Sequence, residues 1–237
     1  MLPWRADCLN ASEDVASLSE SLRPDSHARL CLHGPPGTGK TAWARQLAQT
    51  LKMPLTVCQA ADLIHPMVGV TERLIARAFR SAEEDQALLL IDEADTFLRD
   101  RSHARASWEV SQVNQFLTCM EQYRGLFIAT TNRLDQLDEA AMRRFDFRIG
   151  FDYLDVDGAA LLTRDLAERF SIPLPDQDTL SRALAPITQL APGDFAALAR
   201  RLSVRQSLKD FPALLDLIKN EVAYKGSTRR AIGFHNG

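Results

Sequence analysis

Polar and apolar positions fall into two regimes along this chain. Between residues 29 and 151, short apolar runs alternate with longer stretches of helical spacing. Residues 29–33 read as a strand running straight into a glycine-rich turn. Trp43, Leu47 and Leu51 then recur at every fourth position, which sets them on one face of a helix over 41–51. A second strand is expected over 55–58, and helical spacing returns at Leu74, Ile75, Ala78, Phe79 and Ala82. Residues 87–91 are almost unbroken in apolar character, as in a parallel strand covered on both faces. Val113, Phe116, Leu117 and Met120 form the stripe of a core-facing helix. Strands over 126–130 and 147–151 complete five, and the alternation predicts an α/β fold with a five-stranded, doubly wound parallel sheet.

From residue 157 onward only helical patterns remain. The first carries Leu161, Leu162, Leu166 and Phe170; three more are expected over 176–185, 193–205 and 212–224, each opened by a cap or turn signal. The organisation read from the pattern is a lead segment over 1–28, weakly helical at 11–22, then an α/β core over 29–152. A small all-α domain over 153–225 and a loose tail over 226–237 follow, with no internal repeat or low-complexity tract.

Composition narrows the compartment more than the chemistry. The 237 residues are 46% hydrophobic and 25% charged, an ordinary globular balance. A net charge of −3 gives no overall basic field to attract nucleic acid or an anionic membrane, and no apolar run reaches the roughly 20 residues of a membrane span. Cys8, Cys31, Cys58 and Cys119 are far apart, with Cys31 and Cys58 inside apolar runs, so buried free thiols in a reducing compartment are expected. The histidines show no metal-ligand spacing. With no signal-like pattern at the N-terminus, the expected location is the cytoplasm. The abrupt opening Met1-Leu2-Pro3-Trp4 is compatible with a longer natural protein.

Three strand ends carry chemistry. Gly34-Pro35-Pro36-Gly37-Thr38-Gly39-Lys40-Thr41 matches the phosphate-loop pattern G-x-x-x-x-G-K-[ST], between a predicted strand and a predicted helix. Glycines let such a loop wrap tightly so that backbone N–H groups face phosphate oxygens, and the helix N-terminus adds its dipole. In this pattern Lys40 reaches the β- and γ-phosphates of ATP, and the Thr41 hydroxyl ligates Mg²⁺. Asp92 and Glu93 end the run 88–91; Asp92 is placed to hold the metal and Glu93 to orient and deprotonate the attacking water. Asn132 follows the strand over 126–130, where its amide could meet the γ-phosphate or that water; asparagine there is also a common turn former. Arg143 and Arg144 read equally as a solvated pair or as an arginine finger.

In combination these motifs resemble the AAA family of hexameric ATPases, within the wider AAA+ group. The resemblance rests on the phosphate loop, Ile91-Asp92-Glu93-Ala94-Asp95, Ala129-Thr130-Thr131-Asn132-Arg133, Leu137-Asp138-Glu139-Ala140 and Arg144-Phe145-Asp146, and spans roughly residues 29–224. It implies Walker A at 34–41, Walker B at Asp92 and Glu93, sensor 1 at Asn132, and a helical lid over the nucleotide. It further implies that Arg143 and Arg144 serve the ATP of a neighbouring subunit, although the short insert usual between these arginines is missing. Met67, Val68 and Gly69 resemble the tip of the family's first pore loop, with Met67 where an aromatic is usual; a plain turn before the next helix is the alternative. Residues 100–105 could form a second pore-facing loop or a charged surface loop. The turn Ala191-Pro192-Gly193-Asp194-Phe195 opens a lid helix without the arginine that many AAA+ relatives place there.

The expectation is therefore a Mg²⁺-dependent ATPase that assembles as a homo-oligomeric ring, a hexamer, and remodels or threads an unidentified protein client. An AAA+ switch acting on nucleic acid, as a loader or initiator, is the second reading, and an ATP-gated scaffold with little turnover the third.

Overall fold

The computed structural model describes residues 4–98, 107–133, 137–204, 208 and 210–228. Its elements run β1 (Asn10–Ala11), α1 (Val15–Ser21), β2 (Ala28–His33), α2 (Lys40–Thr50), β3 (Leu55–Gln59), α3 (Ala60–Leu63), α4 (Val70–Glu84), β4 (Leu88–Asp92) and α5 (Asp95–Leu98). They continue with α6 (Ser107–Gln122), β5 (Leu126–Thr131), α7 (Glu139–Met142), β6 (Phe147–Asp152), α8 (Val156–Phe170), α9 (Gln177–Leu184), α10 (Pro192–Val204) and α11 (Phe211–Thr228). Among the described residues the chain clusters into two compact units. One comprises 11–36 and 40–151; the other comprises 4–10, 37–39 and 152–228.

The first unit is built on a sheet of order β1-β6-β2-β5-β4-β3. β2 pairs in parallel with β5 and β6, and β4 with β3 and β5. The five expected strands are all present; the sixth, two residues at the edge beside β6, gives no periodicity to read. Leu88 to Ile91 of β4 and Leu126 to Ala129 of β5 have no exposed surface, which is why their apolar runs do not alternate. One sheet face, with Leu89, Ile91 and Phe127, shares a core with α4 and α6. The Phe79 ring lies 5.3 Å from that of Phe127, and Phe97 stacks on Phe116 at 5.0 Å. On α2, Trp43 is buried against Phe151 at 6.4 Å, and its indole N–H donates to the Val15 carbonyl at 3.3 Å.

The second unit is all helical apart from its loops. α8, α9, α10 and α11 bury Leu162, Leu166, Leu180, Phe195, Leu198 and Leu214 in one core. Asp155 and Asp176 cap α8 and α9 through the N–H groups of Gly158 (2.7 Å) and Thr179 (3.0 Å).

Three local expectations are corrected. The helix over 11–22 shrinks to Val15–Ser21, because Asp14 caps it, accepting from Ala16 and Ser17, while Ala11 belongs to β1. α11 continues through residue 226 to Thr228 rather than ending in a tail at 226. Cys8 and Cys31 are buried free thiols, but Cys58 and Cys119 are only half-buried. The expected list of elements is extended by three single-turn helices, α3, α5 and α7, each too short to show a periodicity.

Candidate functional site

In a parallel sheet the carboxyl ends of neighbouring strands share one rim, and a crevice forms there. Here β2, β5 and β4 are adjacent, so the residues after His33, Thr131 and Asp92 meet at that rim. The turn after β2 leaves its strand sharply. Gly34 has φ 131°, and a Cβ there would lie 1.9 Å from the Phe151 carbonyl oxygen, so only glycine fits. Its N–H donates to the Thr131 carbonyl at 3.2 Å, tying the loop to the end of β5.

Lys40 opens α2 and is 6% exposed. Its ammonium donates to the carbonyls of Gly34 (2.7 Å) and Pro35 (2.8 Å) and to the Asn132 side-chain oxygen (2.9 Å). Burial pushes this lysine down to about 8, against the pull of Asp92, Asp95 and Glu93. Thr41, one residue on, donates its hydroxyl to Asp92 at 2.9 Å. Lys40, Thr41, Asp92 and Asn132, predicted from three separate segments, thus form one connected group.

Threonines at the end of β5, read in the sequence only as part of a motif, complete the network. The register pairs Ile91 with Ala129, which brings Thr130 level with Asp92. The Thr130 hydroxyl donates to Asp92 and accepts from the Glu93 N–H at 3.0 Å. Thr131 donates to Asp95, which also accepts from the Asn132 N–H at 3.3 Å. Both threonines are buried, at 1% and 0% exposure, so their hydroxyls need these acceptors. The signal available in the sequence was two hydroxyls at the end of an otherwise apolar strand. Glu93 adopts φ 57°, a left-handed conformation rare outside glycine, with its N–H anchored by Thr130. A cleft of about 370 Å³, lined by Ala60, Ile64, Glu93, Asp95, Thr96 and Arg133, opens beside it.

The predicted arginines and the residues of the turn before α4 are held by other partners. Arg143 pairs with Glu139 at 2.6 Å on an exposed surface. Arg144 pairs with Glu121 and donates to the Ala140 carbonyl at 2.7 Å. Met67 and Val68 are 65% and 74% exposed at the apex of the turn before α4, and Gly69 closes it at φ 80°. The base of that turn is tied: the buried Thr71 hydroxyl accepts from the His65 N–H at 2.9 Å, and His65 Nδ1 accepts from the Met67 N–H at 3.1 Å. Residues 100–105 lie outside the described residues.

The chain is similar to a large set of known proteins. Over 219 residues it is 34% identical to spastin of Anopheles gambiae, covering 87% of this chain and 26% of spastin. Over 215 residues it is 31% identical to the ATP-dependent zinc metalloprotease FtsH of Hahella chejuensis, covering 83% of this chain and 34% of that protein. It therefore spans about a quarter to a third of the curated relatives it matches. Among solved structures, the AAA domain of FIGL-1 in complex with ADP superposes with a TM-score of 0.64 at 22% identity, covering 84% of this chain and 73% of the other, a likeness of fold. Residues 30–153, more than half of the chain, match the ATPase family associated with various cellular activities, and with that match and these relatives the chain belongs to the AAA family.

Proposed function

We propose that this chain is the ATP-hydrolysing module of a ring-forming machine that remodels or threads protein substrates. The observation that carries the reading is the convergence of Lys40, Thr41, Asp92 and Asn132 at one rim of the sheet, with Glu93 at the adjoining cleft. Lys40 exchanges its loop carbonyls for the β- and γ-phosphates of ATP. Thr41 and Asp92 offer adjacent hard oxygen donors of the kind Mg²⁺ takes together with water and phosphate, and there the ion would neutralise charge on the transferred phosphoryl. Glu93, beside a cleft roomy enough for water, accepts a proton from the attacking water, and Asn132 holds the γ-phosphate or that water in line.

Arg143 and Arg144 act on the nucleotide of a neighbouring subunit in a hexamer. Arg143 is the easier to release, because its ion pair with Glu139 is solvent-exposed and such pairs are worth about 1 kcal/mol or less. Met67, Val68 and Gly69 face the channel of the ring and grip apolar side chains of an extended polypeptide; thioether flexibility suits varied contacts. Among the described residues no helix is long and apolar enough to cross a membrane, and the cytoplasm is the proposed setting.

Glu93→Gln tests the chemistry: it keeps the shape and removes the base. The variant should bind ATP with near-normal affinity while phosphate release collapses. Phosphate release at the wild-type rate would remove Glu93 from the mechanism.

A further inference from the structure

The turn that opens α10 has no arginine in its sequence, yet a cation reaches it in space. Asp194 is 6% exposed, and a carboxylate that deep is costly unless it is paired and hydrogen-bonded. Its Oδ2 accepts from the Ala191 N–H at 2.8 Å and from Lys225 Nζ at 2.6 Å. Lys225 comes from the far end of α11. Its ammonium also donates to the Gln189 carbonyl at 3.2 Å and lies 5.5 Å over the Tyr153 ring. One lysine therefore fastens the carboxylate, the Gln189 carbonyl and an aromatic face. The Leu154 N–H, donating to the Leu190 carbonyl at 2.7 Å, fastens the turn from a further side.

What the fastened turn holds is the tip of the phosphate loop. The Gly193 N–H donates to the Gly37 carbonyl at 2.9 Å. A Cβ on Gly193 would lie 3.1 Å from both the Cα and the carbonyl oxygen of Gly37, so the two backbones touch without side chains between them. A trans peptide points its C=O and N–H in opposite directions, and no cis bond occurs among the described residues. Fixing the Gly37 carbonyl on Gly193 therefore aims the Thr38 N–H the other way. Such N–H groups are the donors with which a phosphate loop grips its ligand.

We propose that Asp194 and Lys225 are a positioning pair for nucleotide binding: the ion pair holds the turn over 189–194 so that Gly193 sets the orientation of the Gly37–Thr38 peptide. The pair touches no phosphate itself. The proposal rests on the reading of residues 34–41 as the nucleotide-binding loop.

Calorimetric titration of ADP into the full chain tests it, at a temperature where melting curves show each variant folded. Lys225→Met and Asp194→Asn should each weaken ADP binding about tenfold. Lys225→Arg, which keeps the charge, should recover most of that loss. Gly193→Ala should weaken binding by pushing the same contact apart, and combining it with Lys225→Met should cost little more than the worse single change, since both act through one contact. The KM for ATP should rise in Lys225→Met with kcat nearly kept, whereas a purely structural pair would lower the melting temperature and leave the affinity of the folded protein alone. ADP affinity within twofold of wild type in Lys225→Met would overturn the clamp, as would full additivity with Gly193→Ala. If Asp194→Asn does not fold, Lys225→Met decides alone. Lys40→Ala separates the two failures: if it too leaves ADP affinity unchanged, the phosphate-loop reading falls, and if it alone loses affinity, only the clamp does.

Discussion

Lys40 sits in its loop as an occupant that a ligand must displace. Its ammonium satisfies two carbonyls of the same loop and the Asn132 amide oxygen, so the loop is already wrapped around a positive charge. Burial holds this lysine down to about 8, and a polyphosphate placed against it favours the charged form. Nucleotide binding should then take up a proton, about half of one per site at pH 8, and affinity should fall as pH rises through 8. Titrations in two buffers of different ionisation heat check this, because the apparent heats should differ in proportion to the proton taken up. Equal heats would mean that Lys40 is fully charged before the ligand arrives. The lysine itself was legible from its motif, since the pattern names the residue. Its present partners were not, because a motif describes a loop with its ligand and says nothing of how the loop satisfies itself alone. Thr130 and Thr131 escaped for a related reason: their roles depend on which strand lies alongside, and that is a property of the sheet.

Elements with strong periodicity were readable and short ones were not. α4 and α6 announced themselves through Ile75, Phe79 and Ala82 and through Val113, Phe116 and Met120, because each buries one full face. Asp14 marks the opposite case, a helix start set by a cap that apolar spacing does not encode. The turn before α4 is an element of this second kind. The His65 N–H donates to the Thr71 hydroxyl and the Met67 N–H to His65 Nδ1, so local polar chemistry fixes an apolar tip in solvent. Its two exposed apolar side chains, Met67 and Val68, are the ones the proposed grip on a polypeptide would use. Met67→Ala should leave basal ATP hydrolysis intact and reduce its stimulation by an unfolded protein. Stimulation equal to that of wild type would return the segment to an ordinary turn.

At the scale of the whole molecule, the question is what the two paired arginines serve. Arg143 and Arg144 are occupied by Glu139 and Glu121 on their own surface, and neither contacts the group around Lys40. If they serve a neighbour, isolated subunits bind ATP and turn it over slowly. Activity per subunit should then rise with protein concentration as mass action populates the ring. Replacing both arginines with alanine should abolish that rise and change nucleotide affinity only a few-fold. Mixing this variant with Lys40→Ala should restore part of the activity, because some interfaces join an intact pocket to an intact pair of arginines. A mixture as inactive as its parents, with mixed rings shown by native mass spectrometry, would confine the arginines to their own subunit.

Because Thr130 and Thr131 alternate across the pleat, one reaching Asp92 and the other Asp95, β5 cannot change length near its end. A residue gained or lost before Thr130 would turn each hydroxyl to the opposite face and leave both carboxylates facing the wrong neighbour. The start of the same strand is different. Tyr123 leads into it from a turn at the far rim, where its hydroxyl donates to the Ala87 carbonyl at 2.6 Å, and the exposed Arg124 stands before the pairing begins at Leu126. The two rims therefore differ in what they tolerate, and a fluorescent label or an epitope belongs at the rim of Arg124.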